Sequence, residues 1–480
     1  MSDSFPAPVY SETVLAHNFR DAQKYFLDSL LEIHYAHTRM LAGCGILTTQ
    51  ERTALLAALN GLDRPRILAA KFDGACEDLF FYVEGLLEQA AGRDLAGKMH
   101  TARSRNDIAV TLYRMTARRE ILKLTSAIAG LRTVLLSLAA KHGESVMPAH
   151  THTQPAQPTT LAHYLLAAVE FLARDAARLR AAYSRVNLSP MGAAAITTSG
   201  FPIDRHATAR YLGFDGLAEN SYGAIAAIDY ITETAAVVAV AMVNLGKLVQ
   251  DLLLWSTREF GFLRLSDAFV QSSSIMPQKR NPVALEHVRI LSSRALGEAQ
   301  AVLTCAHNTP FGDVNDSEDD LQPLVFNMVG DARRAVRLIA GALETAHFNV
   351  EVMAERAGRD FLTVTELADT LVRREGLSFR EAHGLVADAV RACGSRDDSR
   401  TLADALLKAR PSLQLTREEI ERCLDPAHFV QIRKVTGGPA RDQTSAAVDR
   451  GGEEQRDIES WIAATESSLD AARAALTRSL

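Results

Sequence analysis

The sequence predicts a mostly α-helical protein built around a long central bundle, and three observations predict it. Five stretches, 107–141, 158–183, 222–255, 282–306 and 324–354, run well past an ordinary globular helix with no proline in their interiors. Sustained apolar–polar alternation is rare, and no such run leads into an Asn-Gly or Asp-Gly hairpin turn. No fixed repeat period is visible, which sets a helical solenoid aside. Five long helices cannot hide all their apolar surface in one small layer. Other subunits are expected to cover part of it.

The elements follow in chain order. Thr48 to Glu51 (TTQE) has the form of a capping box ahead of a segment with apolar residues every three or four positions. The stretch 107–141 carries one glycine, Gly130, which a buried helix tolerates. Three units are expected: an N-terminal helical domain over 1–105, the long-helix bundle over 106–355, and a smaller helical domain over 356–480. Gly437 and Gly438 predict a turn, Gly451 to Arg456 (GGEEQR) reads as a solvated linker, and a last helix is expected from about Ile458.

Composition narrows the functional classes. The chain has 480 residues, 47% apolar and 23% charged, which is a globular mixture. Lys and Arg number 52 against 58 Asp and Glu, a net charge of −6 that argues against a general nucleic-acid sleeve. The five cysteines are an odd number with no CxxC pair, so a disulfide framework is not expected and a cytoplasmic location is. The N-terminal stretch lacks the basic start and apolar core of an export signal. The apolar run from Ala235 to Val243 is about half of a bilayer span and reads as a buried helix.

Four polar segments stand outside the helical periodicity. Gln271 to Glu286 (QSSSIMPQKRNPVALE) joins three serines to Lys279, Arg280 and Asn281, with Pro282 suited to the first turn of the next helix. A loop with hydroxyls, a lysine and an amide could close over an anion. His100 to Asp107 (HTARSRND) sets Arg103, Arg105 and Asn106 at the start of a long helix, where backbone amides also favour anions. Thr151 to Gln157 (THTQPAQ) and Thr198 to Arg205 (TSGFPIDR) complete the set. A single His or Arg in such places is often only a cap or a core hydrogen-bond partner, and His163 and His287 are read that way. No phosphate loop or dinucleotide glycine pattern is present. His150 and His152 are not accompanied by a fixed set of three or four ligands, so no metal is expected.

SSSIMPQKRNP, MHTARSRND and THTQPAQPTTLAH together resemble the aspartase/fumarase superfamily. With SPMGAAAITTSGFPIDR, WSTREFGFLRLSDAF and RKVTGGPA, the resemblance is to argininosuccinate lyase over roughly residues 20–445. It implies a three-domain helical protomer whose long helices form the core of a homotetramer, with each active site shared by three subunits. It implies a small-molecule substrate, no cofactor, no nucleic acid and no membrane. The implied reaction removes a proton from the β-carbon of a succinyl group and expels an amine, leaving fumarate. Ser273 would be the base and His152 the acid, with Glu286 as its charge partner. Lys279 and Asn281 would hold the carboxylate that gathers charge. Thr101, Ser104, Arg105, Asn106, Thr151 and Gln154 would bind the substrate, Arg105 being suited to a bidentate grip.

The sequence departs from the family where the leaving group is recognised. His34 replaces a serine, Leu30 an aspartate, Ile228 an arginine, Asp313 a tyrosine, Glu318 a glutamine and Leu321 a lysine. Gly223 sits where an aspartate would be, Ser272 where the loop has glycine, and Phe80 where histidine is usual. A site built for the α-carboxylate of arginine would leave that group unpaired opposite Ile228. His34, Ile228, Asp313 and Glu318 are therefore expected to set specificity. The expected substrate is an N-substituted L-aspartate such as the aminopolycarboxylate ethylenediamine-N,N'-disuccinate. Argininosuccinate is the alternative, and an inert crystallin-like protein a further one.

Overall fold

The computed structural model describes residues 5–394 and 398–477; the first four residues of the stretch read above for export lie outside them. Seven helices matter for the site: α1 (Leu27–Gly43), α2 (Arg105–Lys141), α3 (Leu161–Val186), α4 (Asp229–Trp255), α5 (Val283–Ala306), α6 (Gln322–Glu344) and α7 (Arg441–Thr477). Helices α2 to α6 form an up-and-down bundle around one apolar core. A second core joins the N-terminal helices to the start of α2, and a third lies within 367–424.

Local chemistry sets most of these ends. Thr48 and Glu51 form the reciprocal cap expected of them. Ser104 and Asp107 form a second one at the start of α2. Asp107 then does more, because its other oxygen accepts from the amides of Gly192 (2.9 Å) and Ala194 (3.0 Å). Burial pushes its carboxyl up to about 6 despite those donors. Helices α2 and α4 are long and apolar enough to cross a membrane by length and composition, and both contribute one face to the bundle core, with 56% and 44% of their apolar windows buried.

Several sequence expectations change. The helix expected over 158–183 begins only at Leu161, because β2 (Gln154–Thr160) pairs with β1 (Val146–Thr151) as an antiparallel hairpin. Its turn is His152–Thr153, at φ 49° and 62°. Two left-handed residues are what a two-residue hairpin turn requires, normally Asn-Gly, so the usual signature is missing. The stretch 222–255 breaks at 227–228 into Ser221–Ala226 and α4. The stretch 324–354 is interrupted where His347–Phe348 pairs with Leu263–Arg264. The expected linker 451–456 is helical, with Gly451 and Gln455 buried and Glu453, Glu454 and Arg456 exposed. Gly451 sits so close to α2 and α3 that an added methyl would lie 2.8 Å from Leu136 Cδ2 and 3.4 Å from Val169 Cγ1. Gln455 is buried and accepts from Arg132 (2.8 Å). Tertiary packing of a small residue outweighed its poor helix propensity.

Candidate functional site

The alternating directions of α2 to α6 sort the polar segments onto two ends of the bundle. One end carries residues 101–106, the break before α4, and the loop 307–321 after α5. The Tyr222 hydroxyl donates to the Phe311 carbonyl (3.1 Å), and Asn106 Nδ2 donates to Asp313, which ties these pieces together. The other end carries the β1–β2 hairpin and the loop 271–282. His150 stacks near Phe260 (5.8 Å) and His142 near Phe348 (5.7 Å). Helix α5 alone, 24 residues long, separates the two ends by about 35 Å.

At the first end the expected carboxylate binders are already occupied by protein carboxylates. Arg105 Nη1 meets Asp78 (2.9 Å) and Glu77 (3.1 Å), and its guanidinium lies 4.9 Å from the Phe81 ring. Ser104 Oγ donates to Asn106 Oδ1 (2.8 Å), fixing the amide so that its NH2 faces Asp313. Burial first, then the bond to Asp313, pushes Glu318 up to about 8. Asp319 is raised by burial and accepts from the Tyr113 hydroxyl (2.7 Å). A cavity of about 70 Å³ opens between Asp78, Arg105, Tyr113 and Asp319. Ile228 is half-buried at the start of α4 and caps nothing with its side chain.

Thr101 and His34 belong to the wall behind this end. The loop 100–104 turns through Ala102 at φ 62°, and His37 Nε2 donates to the Thr101 carbonyl (2.9 Å). His34 is wholly buried, so it meets the fully buried Arg103 rather than an open cleft: Arg103 Nη1 donates to His34 Nδ1 (2.8 Å). Burial and then the nearby guanidinium hold His34 well below the ordinary imidazole range, hence neutral. Its influence on a ligand must pass through Arg103 and Phe80, whose ring lies 5.9 Å away.

At the second end, Ser273 Oγ accepts from the amides of Met276 (3.1 Å) and Ile275 (3.4 Å). Two backbone donors aimed at one hydroxyl oxygen favour its deprotonated form. The loop is closed by the Gln271–Ser272 and Arg280–Asn281 pair, and Arg280 anchors it on the Leu265 carbonyl (3.0 Å) and on Asp267. Lys279 and Glu286 are exposed, Glu286 in the first turn of α5. His152, Thr151 and Gln154 lie exposed at the hairpin tip. Among the described residues, no hydrogen bond or ion pair joins Ser273, Lys279 or Glu286 to His152, or any of them to Arg105 and Asn106. Sequence reasoning overlooked Asp319, Tyr113 and Asp107. Tyr113 falls two helical turns after Arg105 on the same face, a spacing that could have pointed to it.

Comparison with known proteins gives this arrangement its class. A family model described as "Lyase" matches residues 69–297, and one described as "Argininosuccinate lyase C-terminal" matches 361–431. "Argininosuccinate lyase 2" of Agrobacterium fabrum is 41% identical over 92% of this chain and 89% of its own length. An argininosuccinate lyase of Methanoculleus marisnigri is 42% identical over 94% and 92%. A solved structure of an EDDS lyase variant with bound fumarate superposes at a TM-score of 0.86, 33% identical, covering 98% of this chain and 94% of that one. The fold is that of the aspartase/fumarase superfamily, whose activity here is fumarate-releasing carbon–nitrogen bond cleavage. Within that class the chain belongs to the argininosuccinate lyase family.

Proposed function

We propose that the chain cleaves argininosuccinate to arginine and fumarate. The observation that carries this is the likeness, along nine-tenths of the chain, to relatives named argininosuccinate lyase at 41% and 42% identity. It outweighs the substitutions at His34, Ile228, Asp313 and Glu318, which point toward another leaving amine. The carboxylates of Asp78, Asp313 and Asp319 at one end suit a cationic leaving group, and a guanidinium is one. A second reading, an aminopolycarboxylate such as ethylenediamine-N,N'-disuccinate, is favoured by one observation: apolar Ile228 stands at that same end and offers no partner for the α-carboxylate of arginine. Fumarate absorbance across a panel of N-substituted aspartates separates the two. Turnover of the disuccinate with argininosuccinate left intact would overturn the first reading.

In the mechanism that follows, Ser273 removes the Cβ proton as an alkoxide, supported by the two amides on its oxygen. Lys279 and Asn281 hold the carboxylate that takes up the charge. His152 protonates the leaving nitrogen with Glu286 as its charge partner. Thr101, Ser104, Arg105, Asn106, Thr151 and Gln154 bind the rest, and a substrate carboxylate reaching Arg105 must displace Asp78 or Glu77. The reaction needs no cofactor or metal. The two bundle ends are too far apart in one protomer to meet on one succinyl group, which supports a homotetramer whose antiparallel neighbours supply the missing segments. All five cysteines are free, which supports a reducing, cytoplasmic setting.

A further inference from the structure

We propose that His163 is a positioning residue for the acid step, acting by fixing the hairpin that carries His152; the inference rests on the role given to His152 above. His163 lies in the first turn of α3, where its own amide is held by the Thr160 hydroxyl (3.1 Å). Its ring joins two parts of the molecule that are far apart in sequence. Nδ1 meets Thr159 Oγ1 (2.8 Å) at the base of β2, and Nε2 meets the Gly437 carbonyl (2.9 Å). A carbonyl can only accept, so Nε2 carries the proton and Nδ1 accepts from the Thr159 hydroxyl. One tautomer of one ring thus couples the hairpin to the turn 435–438.

That turn is itself tightly held. Gly437 takes φ +83°, and a methyl on Gly438 would meet the Arg433 carbonyl at 2.3 Å. Arg433 donates to the Phe429 carbonyl (2.6 Å) and to the buried carboxylate of Glu366 (3.2 Å). The helix Pro426–Gln431 packs against both hairpin strands, and Gln157 Nε2 donates to Thr365 Oγ1 (3.0 Å) further along β2. Among the described residues the hairpin tip makes no comparable contacts: its side-chain bond runs from Thr153 Oγ1 to the His152 carbonyl (2.6 Å), one residue away. The side-chain bonds that hold the hairpin among the described residues thus lie toward its base, where the His163 ring bonds to both strand and turn.

The test compares His163→Leu, His163→Asn and His163→Gln in the full-length enzyme, using the N-substituted aspartate it turns over best. Leu removes both bonds, Asn can keep only the one to Thr159, and Gln can still donate to Gly437. His163→Leu and His163→Asn should lower kcat about tenfold or more with KM within about twofold, and His163→Gln should recover most of the loss. Unchanged kcat in both the Leu and Asn variants, or a raised KM with kcat intact, would overturn the proposal. The Asn variant decides alone if Leu prevents assembly. His152→Gln runs in parallel. If it retains full activity, the role of His152 itself fails; if it is inactive while the His163 variants are normal, only the positioning claim fails.

Discussion

Ser273 and Glu318 show how far a local environment can change an ordinary side chain. A serine hydroxyl is a feeble base, and two amides at 3.1 and 3.4 Å are the visible means of making this one stronger. Ser273→Ala should lower fumarate release by about 10²–10⁴-fold with the helical content and assembly unchanged. An undiminished rate would leave an inert scaffold as the better account. Glu318 is raised from 4.5 to about 8, chiefly by burial. A carboxyl raised on folding contributes stability below its unfolded value and loses it as pH climbs through the folded one. The wild type should therefore weaken between roughly pH 4.5 and 8. Glu318→Gln should melt at a higher temperature than wild type near pH 9, with the gap closing toward pH 5. A gap of equal size at both pH values would contradict the assignment.

At the scale of elements, α7 and the β1–β2 hairpin depart most from expectation, for opposite reasons. In α7 a glycine pair predicts a break, but Gly451 is the residue small enough to let the helix lie on α2 and α3. Arg132, buried beneath it, donates to Gln455 (2.8 Å) and Glu454 (3.0 Å). Gly451→Val should cost about 1–3 kcal/mol by overpacking against Leu136 and Val169, read as a lower melting temperature. Equal or greater stability would mean that α7 is held elsewhere. In the hairpin the turn residues are a histidine and a threonine in left-handed conformations. The strain falls on the residue assigned the acid role, which is where strained backbone tends to concentrate.

For the whole molecule, the decisive fact is that the bundle sends its two sets of polar segments to opposite ends. Helix α4 leaves Val240 and Val243 on its outer face at 41% and 50% exposure, an apolar stripe suited to a neighbouring helix. If neighbours complete each site, two inactive proteins should rescue one another. Mixing Ser273→Ala with His152→Asn, dissociating and reassembling, should restore activity, because some sites then receive an intact serine from one chain and an intact histidine from another. No recovery in verified mixed oligomers would mean that both residues serve a site from the same protomer. Val243→Asp should shift the assembly to smaller species and abolish turnover with it.

The helical class, the long central segments, the Thr48 cap and the family were legible in the sequence, because they depend on local periodicity and on short motifs. QSSSIMPQKRNP and HTARSRND carry their residue types wherever the fold sends them. Tertiary structure alone decided that Arg105 is held by Asp78 and Glu77, that His34 is buried against Arg103, that the Gly451 segment is helix, and that Ser273 and Arg105 lie at opposite ends of one bundle. Each of these turns on which surfaces meet across hundreds of residues, and burial and Coulomb energies there outweigh the propensities that a sequence displays.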